Sequence, residues 1–201
     1  MRLGVLGGTF DPPHYAHLIL AEHARDQLDL EQVLWVPAAD PPHKRGEVAA
    51  SVEHRLAMLR LALADAPGFT LSLVDVERPG PHYTADMLDL LRRMYPGAEL
   101  FFLIGSDSLM YLPGWSRPHE VIRLARLAVM TRPGFSPDLD TLDAVLPGLR
   151  ERMEIVRVPQ IDIAAHDIRA RVAAGRSIRY LLPQAVELYI KEHGLYLEHS
   201  G

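Results

Sequence analysis

The sequence predicts an α/β fold: a doubly wound, mostly parallel sheet with helices on both faces and a small helical segment at the C-terminus. Segments typical of strands alternate with segments typical of helices, as in parallel sheets that are covered on both sides. The run AELFFLIG, residues 98–105, is almost wholly apolar, as expected for a strand buried on both faces. A glycine-rich loop leads from the first strand to the first helix. Together these features are typical of a Rossmann-like sheet.

The length and composition of the chain favour one domain. The chain has 201 residues, and 48% of them are apolar, which is enough to build a substantial core. We therefore expect a single domain over residues 1–201, with the C-terminal helical segment covering about 161–201.

The first half of the chain is predicted to contain three strands, each followed or preceded by a helix. The strands are short runs that are apolar or alternate in polarity: 2–6, 33–36 and 70–76. The helices carry apolar residues three and four positions apart: 14–27, 52–64 and 83–95. A polar loop marked by prolines, 37–51, separates the second strand from the second helix.

The second half is predicted to contribute three more strands and the C-terminal helices. The strands are 98–105, 126–131 and 153–159, with a short helix between the last two. The final helices are 167–174 and 183–193, and Gly175 and Pro183 mark the break between them. Ligands bind such sheets at the carboxyl ends of the strands. The segments expected at that edge are 7–17, 37–44, 105–115 and 161–169.

Charge and cysteine content exclude several classes of function. The net charge is -5 and the isoelectric point is near 6.0, which disfavours a nucleic-acid partner because such proteins need a concentrated basic face. The chain has no cysteine, so disulfides and thiol chemistry are excluded and a cytoplasmic protein is expected. No signal peptide or membrane span is predicted. The oligomeric state is left open, a homo-oligomer included.

The stretch GVLGGTFDPPHYAHL, residues 4–18, is predicted to hold a phosphate. Gly7 and Gly8 let the backbone approach a ligand closely, and the proline pair that follows stiffens the entry to the helix. The start of a helix offers unpaired N–H groups and positive partial charge, both of which suit an anion. His14 and His17 are three residues apart, so both imidazoles can face the same anion.

Other interpretations of this stretch are weaker. Neither a GxGxxG fingerprint nor a GxxxxGK[ST] loop occurs, so a standard dehydrogenase and a P-loop enzyme are not supported. The two histidines could form half of a metal site, but two ligands are too few and no cysteine or carboxylate pair completes the set. A tight turn with two surface histidines that cap a helix is the remaining alternative.

The residues GGTFDPPHYAHL, 7–18, resemble the (H/T)xGH signature of the nucleotidylyltransferase superfamily, and this version is similar to the bacterial nicotinate-nucleotide adenylyltransferase family. Ala16 stands where that family usually has glycine. Further segments resemble the family in the same order: WVPAADPPHK, HYTADML, LIGSDSLMYLPGW and SIRYLLPQAVELYI, at residues 35–44, 82–88, 103–115 and 177–190. One motif departs from the pattern. Residues 164–169 are Ala-Ala-His-Asp-Ile-Arg, where the family usually has Ser-Ser-Thr-x-Ile-Arg.

The resemblance implies adenylyl transfer from ATP to nicotinate mononucleotide, giving deamido-NAD and pyrophosphate in NAD biosynthesis. It assigns catalysis to His14 and His17. The residues expected to bind ATP are Gly7, Gly8, Thr9, Phe10, His14, His17, Gly105, Ser106, His166 and Arg169. Those expected to bind the acceptor are Lys44, Thr84, Asp107 and Trp115. Asp107 could instead cap the following turn, and Trp115 could serve packing alone.

The cofactor and acceptor expectations follow from the same resemblance. Mg²⁺ is expected to bridge the ATP phosphates while keeping most of its waters, so no dedicated set of protein ligands is predicted. Nicotinamide mononucleotide and phosphopantetheine are alternative acceptors, although phosphopantetheine enzymes usually have threonine in place of His14 and a shorter chain. A nucleotide-binding sensor without catalysis is the alternative from a different class, and Ala164 and Ala165 motivate it.

Overall fold

We describe residues 1–39, 49–131 and 137–197 of a computed structural model. These residues form six parallel strands in the order β3-β2-β1-β4-β5-β6. The strands are β1 (Arg2–Gly8), β2 (Gln32–Pro37), β3 (Phe69–Leu71), β4 (Glu99–Gly105), β5 (Arg126–Met130) and β6 (Met153–Val156). The helices are α1 (Tyr15–Gln27), α2 (Val52–Leu63), α3 (Thr84–Met94), α4 (Ser106–Tyr111), α5 (Pro118–Leu124), α6 (Leu139–Val145), α7 (Ala165–Ala173) and α8 (Gln184–Glu192). The predicted Rossmann-like α/β class is confirmed.

The order of strands reverses between β1 and β4, which lie side by side at the centre of the sheet. From β1 the chain moves outward to β2 and β3, and it then returns to β4 before moving outward on the other side. The carboxyl ends of β1 and β4 therefore border the crevice in which doubly wound sheets bind their ligands.

Apolar side chains cover both faces of the sheet. In β4, Phe102 packs into one core and its neighbours Phe101 and Leu103 pack into the other. Trp35 in β2 is fully buried in that second core. Because successive side chains of a strand point to opposite faces, this alternation confirms that β4 is a central strand buried on both sides.

A third apolar cluster joins the C-terminal helical segment to α2. Met58 of α2 packs with Ile168 of α7 and with Val186 and Ile190 of α8. The predicted helical character of this segment is confirmed, and α7 begins two residues earlier than predicted. No helix among the described residues is long and apolar enough to cross a membrane.

The strand predicted at 70–76 is wrong in its second half. β3 ends at Leu71, and the backbone N–H groups of Val76 and Glu77 both bond to the carbonyl of Leu73, closing a turn. The buried carboxylate of Asp75 accepts a hydrogen bond from Arg78 Nε at 2.8 Å, which fixes this turn. The alternation of residue types over 70–76 therefore covers the end of a short strand and a turn with one buried ion pair, and not one continuous strand.

The segment after β4 contains two helices that the sequence did not predict. α4 starts directly at the end of β4 with no loop between them, and α5 follows a one-turn 3₁₀ helix at Leu112–Gly114. Arg117 precedes α5 with a φ of 54°, and Pro118 opens the helix. Both helices are only six or seven residues long, too short to show a helical period. β6 also ends at Val156, short of the predicted residue 159.

Candidate active site

A cavity of about 560 Å³ opens at the carboxyl ends of β1 and β4. It brings together most of the residues that the sequence singled out: Gly7, Gly8, Thr9, Phe10, His14, His17, Gly105, Asp107, Trp115, His166 and Arg169. They come from the loop after β1, the turn after β4 and the start of α7. Segments that are far apart in the sequence therefore form one site, as the rule for doubly wound sheets predicts.

The two histidines stack on each other at the start of α1. Their ring centroids are 3.7 Å apart with an angle of 26° between the planes. The sequence predicts that the helix begins at His14. In the structure His14 is instead the N-cap residue, with extended backbone, and His17 is the third residue of the helix. The side chain of His14 is buried, whereas His17 is partly exposed to the cavity.

A backbone contact defines the tautomer of His17. The N–H of His14 donates a hydrogen bond to Nδ1 of His17 at 3.3 Å. A ring nitrogen that accepts a hydrogen bond carries no proton, so the neutral imidazole has its proton on Nε2. His17 is thereby set up as a hydrogen-bond donor through Nε2, which is the role that an anionic phosphate oxygen requires.

The loop before the histidines is shaped around Phe10. A Cβ on Gly8 would lie 2.9–3.2 Å from the ring of Phe10, so the absence of a side chain there makes room for that ring. Phe10 has a φ of 51° and is buried. Its ring meets that of His17 edge to face at 5.1 Å and lies 5.2 Å from that of Trp35. Phe10 is therefore a support beneath His17.

A second, smaller cavity of about 180 Å³ adjoins the first. The two cavities share four lining residues: Gly7, Gly8, Phe102 and Trp115. Thr84, at the start of α3, lines only the smaller cavity, together with Asp75 and His82, which sequence reasoning did not identify. Trp115 meets Phe102 edge to face at 6.2 Å and forms part of the shared wall.

The structure places two further predicted residues, and a third lies outside the described residues. Asp107, expected at the acceptor, lines the larger cavity and not the smaller one. Ser106 is buried at the first position of α4 and lines neither cavity. Lys44 lies outside the described residues.

The start of α7 borders the larger cavity without the hydroxyl groups that its motif usually carries. Ala164, the N-cap residue, makes no side-chain cap. His166 is exposed and lies 3.3 Å from the carboxylate of Asp167. Arg169 donates from Nη1 to the backbone carbonyl of Asp11 at 2.8 Å, which ties α7 to the loop after β1.

Asp11 is a central residue that sequence reasoning missed, although it lies inside the quoted motif. The residue is 2% exposed, and its carboxylate accepts hydrogen bonds from the backbone N–H groups of Ala49, at 2.7 Å, and Ala50. The hydroxyl of Tyr196 donates to it at 2.6 Å. The feature of the sequence that could have revealed Asp11 is its position, three residues before His14.

Arg55 is the second missed residue, and it is 1% exposed. Its guanidinium donates to the backbone carbonyls of Thr9, Ala38 and Ala39 at 2.8–3.0 Å. Burial lowers the pKa of Arg55, and the nearby Asp11 opposes that effect. The sequence could have revealed Arg55, because it lies four residues before Leu59 on the apolar side of α2, where a charged side chain in water is not expected.

Comparison with known proteins agrees with this geometry. The family model described as cytidylyltransferase-like matches residues 5–172. The probable nicotinate-nucleotide adenylyltransferase of Thermomicrobium roseum is 55% identical over 97% of this chain and 91% of its own length. The corresponding protein of a Roseiflexus species is 48% identical over 96% and 97%. The chain belongs to the nicotinate-nucleotide adenylyltransferase family.

Solved structures of the family share the fold. The nicotinic acid mononucleotide adenylyltransferase of Plasmodium falciparum in complex with NaAD has a TM-score of 0.80, with 97% of both chains covered and 17% identity. A Vibrio parahaemolyticus structure, a putative member of the family, has a TM-score of 0.68, with 98% of this chain and 96% of that chain covered. These structures share the fold, and the relatives of 55% and 48% identity confirm the family expected from the opening motif.

Proposed function

We propose that the protein transfers the adenylyl group of ATP to nicotinate mononucleotide, giving deamido-NAD and pyrophosphate in NAD biosynthesis. The observation that carries this proposal is the pair of cavities that meet at Gly7, Gly8, Phe102 and Trp115, with the two histidines on the larger one. A reaction between two bound nucleotides needs two such adjoining sites. Relatives of this chain carry the name of this enzyme, and one related structure contains NaAD.

In this proposal ATP occupies the larger cavity and the acceptor occupies the smaller one. A 5′-phosphate oxygen of the acceptor attacks the α-phosphorus of ATP. A new P–O bond forms there, the bond from the α-phosphorus to the bridging oxygen breaks, and pyrophosphate leaves with those electrons. The reacting atoms would meet near Gly7 and Gly8, which the two cavities share.

Catalysis then depends on position and charge. Negative charge develops on the phosphate oxygens as pyrophosphate leaves, and donors that are already oriented stabilise it at little cost. His17 donates through Nε2, and His14 lies against it in the same stack. Arg169, held near the loop by its bond to Asp11, adds positive charge on the same side.

The smaller cavity suits the pyridine ring of the acceptor. Trp115 offers an aromatic face in the wall, and Thr84 lies at the N-terminus of α3, where backbone N–H groups favour a carboxylate. Asp107 lines the neighbouring cavity, from which its carboxylate can accept hydrogen bonds from a ribose hydroxyl.

Mg²⁺ would enter this site as the complex with ATP. No group of three or more histidine, cysteine or acidic side chains that could hold a metal occurs among the described residues. Asp11 and Asp107 are the described carboxylates that line the larger cavity, and that of Asp11 is already bonded to Ala49, Ala50 and Tyr196. The donor set therefore fits a hydrated ion that is held mainly by phosphate oxygens.

A pyrophosphate-release assay tests the proposal. Wild-type protein is mixed with ATP, Mg²⁺ and one acceptor at a time: nicotinate mononucleotide, nicotinamide mononucleotide or phosphopantetheine. We expect the fastest release with nicotinate mononucleotide. Faster release with another acceptor would change the assigned substrate. ATP binding without release on any acceptor would favour a sensor, the alternative that the missing hydroxyls of α7 suggest.

A further inference from the structure

We propose that Asp11 and Tyr196 form a positioning pair, so that the turn after α8 controls catalysis although Tyr196 lines neither cavity. The hydroxyl of Tyr196 donates to Oδ1 of Asp11, and this bond holds the loop that carries His14 and His17. The proposal rests on the proposed function for its kinetic consequence, but its structural consequence can be measured separately.

The carboxylate of Asp11 joins three parts of the chain. One oxygen accepts the hydroxyl of Tyr196 at 2.6 Å, and the backbone N–H of Ala49 bonds to the other at 2.7 Å. Ala50 bonds to both oxygens at 3.3 and 3.4 Å. A buried carboxylate is stable only when its oxygens are bonded, so each of these donors limits where Asp11 can lie.

The backbone around Asp11 is held as firmly as its side chain. Arg169 bonds to the carbonyl of Asp11, and Arg55 bonds to the carbonyl of Thr9, two residues earlier. Arg55 and Arg169 therefore hold the backbone of the loop from Thr9 to His14. The carboxylate of Asp11 holds the same loop through a side chain. Among the described donors to that carboxylate, Tyr196 donates through a hydroxyl group, and the others donate through backbone N–H groups.

Tyr196 is itself held in an uncommon conformation. Its φ is 65°, in the left-handed region that non-glycine residues rarely adopt. Its side chain packs against the cluster that joins α2, α7 and α8, and its hydroxyl lies 3.9 Å from Sδ of Met58. Burial, followed by the negative charge of Asp11, raises the pKa of Tyr196 far above its usual range, so the hydroxyl stays a donor.

The consequence is a specific effect on turnover. Without the hydroxyl of Tyr196 the carboxylate of Asp11 loses one of its donors, and the loop can move relative to Arg169. His14 and His17 follow three and six residues later, and small displacements of catalytic groups cost large factors in rate. We therefore expect kcat to fall more than the KM values change, because the pair acts through the position of His14 and His17 relative to the reacting phosphate.

The test uses Tyr196→Phe, Asp11→Ala and the double variant in the full chain. We expect Tyr196→Phe to lower kcat about tenfold, with KM within about threefold of wild type. In the Asp11→Ala background, which has no acceptor for the hydroxyl, the second substitution should have no further effect on kcat, since Tyr196 acts through Asp11. Tyr180→Phe is the matched control, because Tyr180 is 79% exposed, and it should keep wild-type kcat.

A spectroscopic measurement separates this proposal from the proposed function. The ring ¹H and ¹³C signals of His14 and His17 are recorded by NMR without substrates, and Tyr196→Phe should shift them while Tyr180→Phe should not. This holds even if wild-type protein releases no pyrophosphate. Unchanged histidine signals, wild-type kcat in Tyr196→Phe, or independent effects of the two substitutions would overturn the proposal. If Tyr196→Phe does not fold, the same signals in Asp11→Ala decide it.

Discussion

At the scale of single residues, His17 carries the clearest chemical assignment. Its Nδ1 accepts the backbone N–H of His14, so its donor atom is Nε2. The spacing of two histidines at the start of a helix was enough to predict that both rings would share one site. The tautomer could not be predicted, because it depends on His14 being the N-cap and not a helical residue.

His17→Ala should lower kcat by about 10²–10³, since one oriented donor to a developing oxyanion is worth about 2.7–4 kcal/mol. Steady-state pyrophosphate release measures this. His17→Gln should recover part of the loss, because its amide nitrogen can donate from a similar position. His119→Ala, which removes an exposed histidine on α5, is the control and should leave kcat unchanged. Near-normal turnover in His17→Ala would contradict the assignment.

Gly8→Ala should lower the free energy of unfolding by about 1–3 kcal/mol, the usual range for overpacking a filled core. The added Cβ would lie 2.9 Å from the buried ring of Phe10, which packs against Trp35 and His17. Thermal or urea unfolding gives the change. Gly114→Ala is matched to it, since no atom lies within 4 Å of a Cβ there, and should stay within about 0.5 kcal/mol of wild type. Equal effects of the two substitutions would refute the packing argument.

At the scale of elements, periodicity in the sequence predicted the long helices and the buried strands. It failed where an element is short and where an ion pair stabilises a turn. The alternation at 70–76 suggested a continuous strand, yet the chain turns after Leu73, and the bond from Arg78 to Asp75 fixes that turn. α4 has six residues and begins where β4 ends, so no loop signal marks its start. These features depend on tertiary contacts that a single sequence does not display.

The contacts of Arg55 on α2 are also tertiary contacts that the sequence does not display, and they lead to a prediction about stability. Arg55→Lys should lower the free energy of unfolding by about 2–4 kcal/mol, because one ammonium cannot reach the three carbonyls that the guanidinium bonds. Arg60→Lys, at an exposed position on the same helix, should have almost no effect. Chemical denaturation of both variants decides the matter. A change in Arg55→Lys no larger than in Arg60→Lys would show that these bonds contribute little.

At the scale of the whole molecule, stability should fall at alkaline pH because of Tyr196. Its pKa is raised in the folded protein by burial and by Asp11, above the ordinary value of 10.0 that applies when the chain is unfolded. Above about pH 10 the unfolded chain therefore loses a proton that the folded protein keeps, and the folded state becomes less favourable as pH rises. The group contributes at most about 1.4 kcal/mol per pH unit to this fall.

Unfolding measured at pH 9, 10 and 11 tests this behaviour. Wild-type protein should lose more stability over that range than Tyr196→Phe, which has no hydroxyl to ionise. Tyr180→Phe is again the control, because Tyr180 is largely exposed, and its curve should run parallel to that of wild type. Parallel curves for wild type and Tyr196→Phe would show that Tyr196 ionises equally in both states.

The overall arrangement of the site was the most predictable feature, because all strands of a parallel sheet have their carboxyl ends at the same edge. The strand order, which sets β1 beside β4 at that edge, is known only from the structure. The sequence motifs then placed His14, Gly105 and Arg169 around one cavity. The division into two cavities with a shared wall could not be predicted, since Phe102 and Trp115 meet only after β4 and the following turn are packed. That division underlies the proposed reaction between two nucleotides.

The fate of the α- and γ-phosphorus atoms of ATP tests the proposed reaction most directly. ATP labelled at the α- or γ-phosphorus is incubated with Mg²⁺, nicotinate mononucleotide and wild-type protein, and the products are separated. We predict that the α-label appears in deamido-NAD and the γ-label in pyrophosphate, in equal amounts. Transfer of the γ-label to the acceptor would contradict attack at the α-phosphorus. Release of the α-label as AMP would show that water, and not the acceptor, attacks that phosphorus, and would contradict a reaction between two bound nucleotides.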